Sequence, residues 1–470
     1  MALPGLACLK APREEHGFRA APLVSGAAPA DLKGRLYRVG PGRFADGEAD
    51  LGHWFDGEGL AVAVDFDGRA ARCAVRMIAE PPAPAEDKGR FGVAPRSMWR
   101  RLKSMWRADA YANPANTALV FWGERLLALF EGGHPTELDP DTLAPIGVTD
   151  LGVVRRSFGA HPKLHRPTGD LINQGFRFSP RPVLDYYRLS PDGHATLFNT
   201  APYNGATFTH DFAVTDRCIV SVSPPVFGNP FDVVVRGQSL KEALAWREKR
   251  PTEFLVTPID GGRTRRLTTP AVLYSHTAFA YDDGDDVVVA AIASAGASNM
   301  EWINAVSPTA DALPPAEPSR LTEFRLSTTP GNVTRRTLSD ARIDFPKINE
   351  AWFSRRLRRA RYVYAAGYKD DARAYEDMFD AMVKLDLSGA PASAVRVDFG
   401  PGVYVSEPMF APRPDAQTED DGWLLVKLYD SQADESFVAV LDASGTPREV
   451  ARFSLGQALP LSFHGLWRPA

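Results

Sequence analysis

The sequence predicts an all-β fold, because short alternating segments separated by turn residues recur from one end to the other. Glycine and proline are frequent and scattered, at 38 and 39 of 470 residues, as a chain with many tight turns requires. The sequence contains no βαβ alternation, no GxGxxG after a strand and no GxxxxGK[ST] loop. These observations favour an all-β architecture over a nucleotide-binding α/β fold.

The clearest hairpin lies between Leu60 and Met77, where two alternating runs flank the turn Asp67-Gly68. Four further strand pairs show the same pattern, at residues 184–199, 254–268, 321–338 and 423–445. The segments keep no fixed repeat period, so the strands alone are compatible with a β-propeller or a β-sandwich. Because no linker divides the chain, a single domain over residues 1–470 is predicted.

Composition excludes several classes of partner and compartment. The formal charge is −4, with 54 basic against 58 acidic residues, so no long-range field would gather nucleic acid. Cys8, Cys73 and Cys218 are too few and too far apart for a disulfide framework or a cysteine metal site. No signal peptide and no apolar run of membrane-spanning length is visible. We therefore expect a cytoplasmic protein, and any membrane contact to be peripheral.

Four of the nine histidines lie beside apolar or aromatic residues in strand-like stretches: His161, His210, His276 and His464. Any one of them alone is more simply a core histidine bonded to the backbone. Their wide separation excludes zinc-finger and HExxH chemistry, which needs closely spaced ligands. It suits strands that converge on a propeller axis, where four neutral imidazoles would leave two positions of an octahedral ion open.

The chain also carries a series of longer motifs that is more specific than any single histidine. They run from about Gly34 to Trp467 and include GRLYRVGPGRF (34–44), HWFDGEGLAVAV (53–64), AHPKLHRPTGDLINQGF (160–176), HDFAVTD (210–216), SHTAFAYDDG (275–284), DFPKIN (344–349), SEPMFAPRPDAQTEDDGWLL (406–425) and FHGLW (463–467). With these motifs, in this order, the chain resembles the carotenoid cleavage oxygenase family, which includes carotenoid and apocarotenoid oxygenases, lignostilbene dioxygenases and relatives of the retinal pigment epithelium isomerase.

The resemblance implies a seven-bladed β-propeller with loop and helix caps over the face that carries the substrate tunnel. It implies one Fe(II) per chain, held by the same four histidines, and O2 as co-substrate. The expected reaction is cleavage of a C=C double bond in a carotenoid or apocarotenoid, an apolar polyene, to aldehydes. Three carboxylates would accept the second ring N–H of three of the histidines, and the matching positions are Glu131, Asp344 and Glu407.

Asp344 departs from the glutamate that is usual in the family. Its side chain is one methylene shorter, so we expect a bridging water between its carboxylate and the histidine, and tolerance of the longer glutamate.

A basic, amphipathic segment at residues 95–107 predicts contact with a membrane surface. Its large apolar side chains recur at helical spacing: Met98, Trp99, Leu102, Met105 and Trp106. The segment also carries five Arg and Lys residues and no acidic residue, which is typical of an interfacial helix on anionic lipid. The alternative is a helix that caps the propeller, with its apolar face in the core.

Three other functions remain open on the sequence. Stilbene-cleaving relatives place a lysine just before the first of the three carboxylates, whereas this chain has Phe130, which cannot stabilise a phenolate. The family also includes enzymes that isomerise and hydrolyse retinoid esters. From another class, a propeller could act as a non-catalytic binding protein, since a fold does not determine a function.

Overall fold

The computed structural model describes residues 3–9, 13–46, 49–50, 53–78, 89–95, 97–104, 111–177, 181–204, 209–329, 331–356 and 358–470. Strands predominate in this part of the chain, as predicted, and its helices are short. In these residues no helix combines the length and the apolar character needed to cross a membrane.

The strands follow one another along the chain with few long connections. The first seventeen are β1 (His16–Ala21), β2 (Leu23–Gly26), β3 (Lys33–Arg43), β4 (Ala45–Asp46), β5 (Ala49–Asp50), β6 (Glu58–Asp67), β7 (Ala71–Met77), β8 (Ala118–Trp122), β9 (Arg125–Leu129), β10 (Thr136–Leu138), β11 (Pro145–Val148), β12 (Lys163–His165), β13 (Asp170–Arg177), β14 (Val183–Leu189), β15 (Ala195–Pro202), β16 (Phe212–Val214) and β17 (Cys218–Ser223).

The later strands continue the same pattern. They are β18 (Val226–Gly228), β19 (Leu244–Trp246), β20 (Thr252–Pro258), β21 (Arg265–Thr269), β22 (Leu273–Asp283), β23 (Asp286–Ser294), β24 (Arg320–Ser327), β25 (Asn332–Thr337), β26 (Ile343–Lys347), β27 (Tyr362–Gly367), β28 (Ala381–Asp386), β29 (Ser393–Asp398), β30 (Val403–Val405), β31 (Met409–Pro412), β32 (Gly422–Asp430), β33 (Glu435–Asp442), β34 (Arg448–Ser454) and β35 (Gly465–Pro469). The α-helices of the described residues are α1 (Met98–Ser104), α2 (Pro230–Val234), α3 (Leu240–Ala243), α4 (Ser298–Ala305) and α5 (Glu350–Arg356).

Seven antiparallel sheets of four or more strands form the blades of a β-propeller in the described part of the chain. Blade 1 has the order β1-β7-β6-β3-β35, and blade 2 has the order β11-β10-β9-β8. Blades 3, 5 and 6 are β12 to β15, β22 to β25 and β26 to β29, and blade 4 is β16-β17-β20-β21. Blade 7 joins β2, β34, β33, β32 and β30, with β31 also paired to β32. The predicted all-β, seven-bladed fold is confirmed.

Two pairs of strands, each joining the two ends of the chain, close the ring. β35 pairs with β3, with Arg38 opposite Gly465, and so completes blade 1. β2 pairs with β34, with Leu23 opposite Phe453, and forms the outer edge of blade 7. Blades 1 and 7 therefore each contain strands from both ends of the described chain.

Apolar strands lie inside the ring and polar strands on its rim. β23 is buried over nearly its whole length, because it packs between neighbouring blades on both faces, whereas the outer strand β25 is largely exposed. The innermost strands of successive blades contact one another, as β12, β16, β22 and β26 do. Each of the five predicted strand pairs is present, including β6 with β7 and β32 with β33. Side chains at the ends of the innermost strands therefore converge on the axis.

Candidate metal centre

The four predicted histidines lie at the inner ends of four blades and meet on the propeller axis. His464 directly precedes β35, and His276 lies within β22. His161 and His210 lie two residues before β12 and β16. One ring nitrogen from each lies within 4.8 Å of the others. Residues that are far apart in the sequence are therefore neighbours in the fold.

The spacing of the ring nitrogens fits a metal ion. Nε2 of His210 lies 3.1 Å from Nε2 of His161 and 3.0 Å from Nε2 of His276. Two nitrogens at right angles about an ion, each bonded at about 2.1 Å, would be about 3.0 Å apart. The rings of His161 and His464 are nearly perpendicular, at 84°. Four imidazoles can therefore direct lone pairs at one point.

Burial keeps two of these rings neutral. It lowers the pKa of His464 to about 4, and it lowers the pKa of His161 well below its usual value. A neutral imidazole has a free lone pair on one ring nitrogen, as metal binding requires.

Three carboxylates fix which nitrogen faces the centre. Nδ1 of His210 donates to Glu131, Nδ1 of His276 donates to Asp344 over 2.6 Å, and Nδ1 of His464 donates to Glu407 over 2.7 Å. Each bond places the proton on Nδ1 and leaves Nε2 as the lone-pair donor. In the described residues, the ring of His161 has no carboxylate partner.

The prediction of a water bridge at Asp344 is wrong, because the carboxylate contacts His276 directly. The strand pairing of β26 with β27 is irregular after Asp344, and Phe345 has a positive φ of 55°. Oδ1 of Asp344 also accepts a 2.7 Å hydrogen bond from the backbone N–H of Phe345, and Ser275 Oγ donates to the same carboxylate. The local backbone thus brings the shorter side chain to its partner.

Asp344→Glu is therefore expected to weaken metal binding, which reverses the expectation from the sequence. Oδ1 of Asp344 already lies 2.6 Å from Nδ1 of His276, so a side chain longer by one methylene must bend away or displace the ring from the axis. Loss of such a contact typically lowers metal affinity about 10–100-fold. A metal titration measures the change, with Asp340→Glu, at an exposed position nearby, as the control. Wild-type affinity in Asp344→Glu would contradict the prediction.

Glu407 is the most enclosed of the three carboxylates, with a side chain 1% exposed. Its Oε2 accepts hydrogen bonds of 2.8 Å from Arg38 and 3.0 Å from the backbone N–H of Gly465, and Lys347 Nζ lies 3.3 Å from Oε1. Burial alone would raise the pKa of Glu407, but Lys347, His464 and Arg38 hold it well below its usual range. The carboxylate is therefore ionised.

Sequence reasoning missed Arg38 and Lys347. Both lie in motifs that were noted, GRLYRVGPGRF and DFPKIN. Arg38 is 1% exposed although it lies in an apolar strand, and a fully buried arginine needs a carboxylate partner. An arginine within the buried strand β3 was the available signal.

A cavity of about 460 Å³ reaches the histidines, and its wall is mainly apolar. Phe55, Phe91, Phe130 and Phe345 line it, together with Val233 of α2. Residues of α3 and α4 also belong to the wall, so short helices cover this face of the propeller. The cavity can hold an elongated apolar molecule against the histidine cluster.

The predicted membrane segment is only partly described. Met98 and Trp99 lie in α1 with 60% and 65% of their surface exposed, and Leu102 is half-buried. Met105 and Trp106 lie outside the described residues. Phe231 of α2, which packs beside α1, is also exposed, at 54%.

Comparisons with known proteins identify the family. The family profile described as Retinal pigment epithelial membrane protein matches residues 10–469. The apocarotenoid-15,15'-oxygenase of Synechocystis is 30% identical over 466 residues, covering 94% of this chain and 92% of its own length. The carotenoid cleavage oxygenase of Mycobacterium tuberculosis is 25% identical, over 95% of this chain and 93% of its own.

A solved structure of a relative has the same fold. The cobalt-substituted Synechocystis apocarotenoid oxygenase superimposes with a TM-score of 0.85 at 26% identity, covering 99% of this chain and 98% of the solved one. The chain belongs to the carotenoid cleavage oxygenase family. It is an enzyme, and the predicted class, an oxidoreductase of the dioxygenase type, is confirmed by its relatives. A non-catalytic binding protein is thereby excluded.

Proposed function

We propose that this protein is an Fe(II)-dependent dioxygenase that cleaves a C=C double bond of a carotenoid or apocarotenoid. One Fe(II) per chain would be held by His161, His210, His276 and His464. Both atoms of O2 enter the products, so one C=C bond and one O2 give two aldehydes. The observation that carries the proposal is the convergence of four imidazole nitrogens at an apolar cavity.

The residues of the site have separable tasks. The imidazoles bind the ion through Nε2, while Glu131, Asp344 and Glu407 keep each ring in the matching tautomer. Bound iron would supply a centre for O2 activation at the positions the four nitrogens leave open. The aromatic wall, with Phe130 and Phe345, holds the substrate by dispersion and excludes water.

The cavity favours a polyene over a hydroxystilbene. Phe130 lines it next to Glu131, at the position where stilbene-cleaving relatives carry a lysine. A phenolate beside Phe130 would lose water without gaining a charged partner from that residue, which is costly.

The test is a product analysis. Iron-loaded protein is incubated under oxygen with apocarotenals, carotenes and hydroxystilbenes, and the products are identified by mass. We expect aldehydes from polyenes that are long enough to reach the histidines. Cleavage of the hydroxystilbenes alone would replace this proposal with the stilbene alternative, and absence of products from every substrate would contradict both.

Delivery of such a substrate from a membrane is the second part of the proposal. The exposed Met98, Trp99 and Phe231 lie on α1 and α2, and Val233 of α2 lines the cavity, so the apolar patch is next to the cavity wall. Arg100 and Lys103 of α1 are exposed beside it and suit anionic headgroups.

Changing Trp99 and Phe231 together to Ser is expected to weaken binding to anionic vesicles. Each large side chain contributes about 1.5–3 kcal/mol when it enters the lipid interface. Cleavage of liposome-embedded substrate should fall, while cleavage of detergent-dispersed substrate persists. Ile146 and Val148, both 65% exposed on β11, provide a matched double Ser control. Equal loss of vesicle binding in both double variants would contradict a specific patch.

A further inference from the structure

One buried carboxylate joins three of the four segments that carry the histidines. Asp211 has a side chain 1% exposed, and its Oδ1 lies 2.8 Å from Nζ of Lys163. Its Oδ2 accepts a 2.7 Å hydrogen bond from the backbone N–H of Thr277. Asp211 directly follows one histidine, Thr277 directly follows another, and Lys163 lies two residues after a third. The carboxylate therefore connects blades 3, 4 and 5 immediately beside the cluster.

The orientation of this carboxylate is itself fixed. Oδ1 of Asp211 accepts a 2.7 Å hydrogen bond from the backbone N–H of Phe212. Thr277 Oγ1 donates to the carbonyl oxygen of Phe212 over 3.1 Å, and Tyr274 OH lies 2.6 Å from the same Oγ1. These bonds join β16 to β22 between two histidines, so neither strand can shift along the axis without breaking them.

His161 depends most on this connection. The rings of the other three histidines are oriented by carboxylates, whereas no carboxylate contacts His161 in the described part of the chain. Its segment leads into the short strand β12, and Lys163 is the point at which that strand contacts Asp211. The ion pair therefore connects the segment of His161 to those of His210 and His276, two of the three histidines that have a carboxylate partner.

We infer that Asp211 is a positioning residue for the proposed metal site, and that its bonds to Lys163 and Thr277 set the spacing of three Nε2 atoms. The inference rests on the proposed function, since the spacing has a role only when an ion is bound. Ligand atoms must be held within about 0.5 Å of the geometry that an ion requires. Asp211 holds the backbone segments that carry the histidines and, among the described residues, makes no hydrogen bond to the rings themselves. Its loss would therefore allow these segments to move relative to one another.

The test titrates metal-free protein with Co(II) and records the absorption spectrum, which responds to ligand geometry. Asp211→Asn is expected to lower Co(II) affinity about 10–100-fold and to change the spectrum. Lys163→Gln should cause a smaller loss, because the carboxylate keeps its two backbone hydrogen bonds. Lys163→Arg restores a cation opposite Asp211, so its affinity should return towards that of the wild type.

A second buried pair provides the matched control. Lys384 Nζ lies 2.7 Å from Asp420 Oδ2, with side chains 4% and 10% exposed. In the described residues, neither side chain is bonded to any of the four clustered histidines. Asp420→Asn should lower the free energy of unfolding and leave Co(II) affinity and spectrum unchanged.

Wild-type affinity and spectrum in Asp211→Asn would overturn the inference, and so would equal changes in Asp420→Asn. If Asp211→Asn does not fold, wild-type affinity in Lys163→Gln, whose lysine is partly exposed, would overturn it as well. A wild-type protein that binds neither Co(II) nor Fe(II) would contradict the proposed function itself, which separates the two failures.

Discussion

Replacing His276 with alanine is expected to abolish both activity and stoichiometric iron binding. The change removes one of the four nitrogens and leaves Asp344 without its imidazole partner. The loss of affinity should exceed the roughly 10–100-fold that is typical when only a hydrogen-bond partner of a ligand is removed. Iron content per chain and aldehyde formation measure the two effects.

His165 provides a control within the same region. It is buried, at 4% exposure, and its ring contacts Thr168 Oγ1 at 2.8 Å and the carbonyl oxygen of Asp216 at 3.1 Å. His165→Ala should therefore reduce stability and leave the iron content of the folded protein unchanged. Full activity in His276→Ala, or loss of iron in both variants, would remove the distinction between ligand and core histidine.

Glu407→Gln is expected to destabilise the protein even without metal. The change leaves the fully buried Arg38 without a negative partner, and breaking a buried ion pair by removing one member costs about 3–5 kcal/mol. Lys347 is 23% exposed and can find water, so Arg38 dominates the loss. Denaturant unfolding of the metal-free protein measures the change in free energy.

Glu131→Gln is the comparison for this prediction. In the described residues Glu131 pairs with His210 and with no Arg or Lys, and its side chain is 26% exposed. Its replacement should weaken metal binding with a much smaller change in the unfolding free energy. Equal destabilisation by the two substitutions would show that Arg38 is not the cause.

The sequence was most informative where chemistry depends on residue type. Four histidines in strand contexts, together with the family resemblance, were sufficient to select the residues that meet on the axis. The local backbone at Asp344 could not be predicted from the sequence, because the irregular pairing after this residue depends on how β26 pairs with β27. The length of a side chain alone therefore predicted a water bridge that is not present.

Burial of charge was equally hard to predict. Arg38 lies in a strand that is buried over most of its length, and its partner Glu407 is hundreds of residues away in the sequence. For the amphipathic segment, periodicity shows that one face is apolar and does not show whether that face meets core or solvent. The exposure of Met98 and Trp99 depends on how α1 packs on α2, which is a tertiary property.

The closing strand β35 has a consequence for the order in which the protein matures. His464 directly precedes β35, and its carbonyl accepts a hydrogen bond from Val39 of β3, so the fourth nitrogen arrives together with the closing strand. A ring that is still open has only three imidazoles in place. Iron would consequently bind the closed ring more tightly than the open one and would stabilise closure by the difference in binding free energy. Metal uptake would then stabilise the closed propeller against reopening.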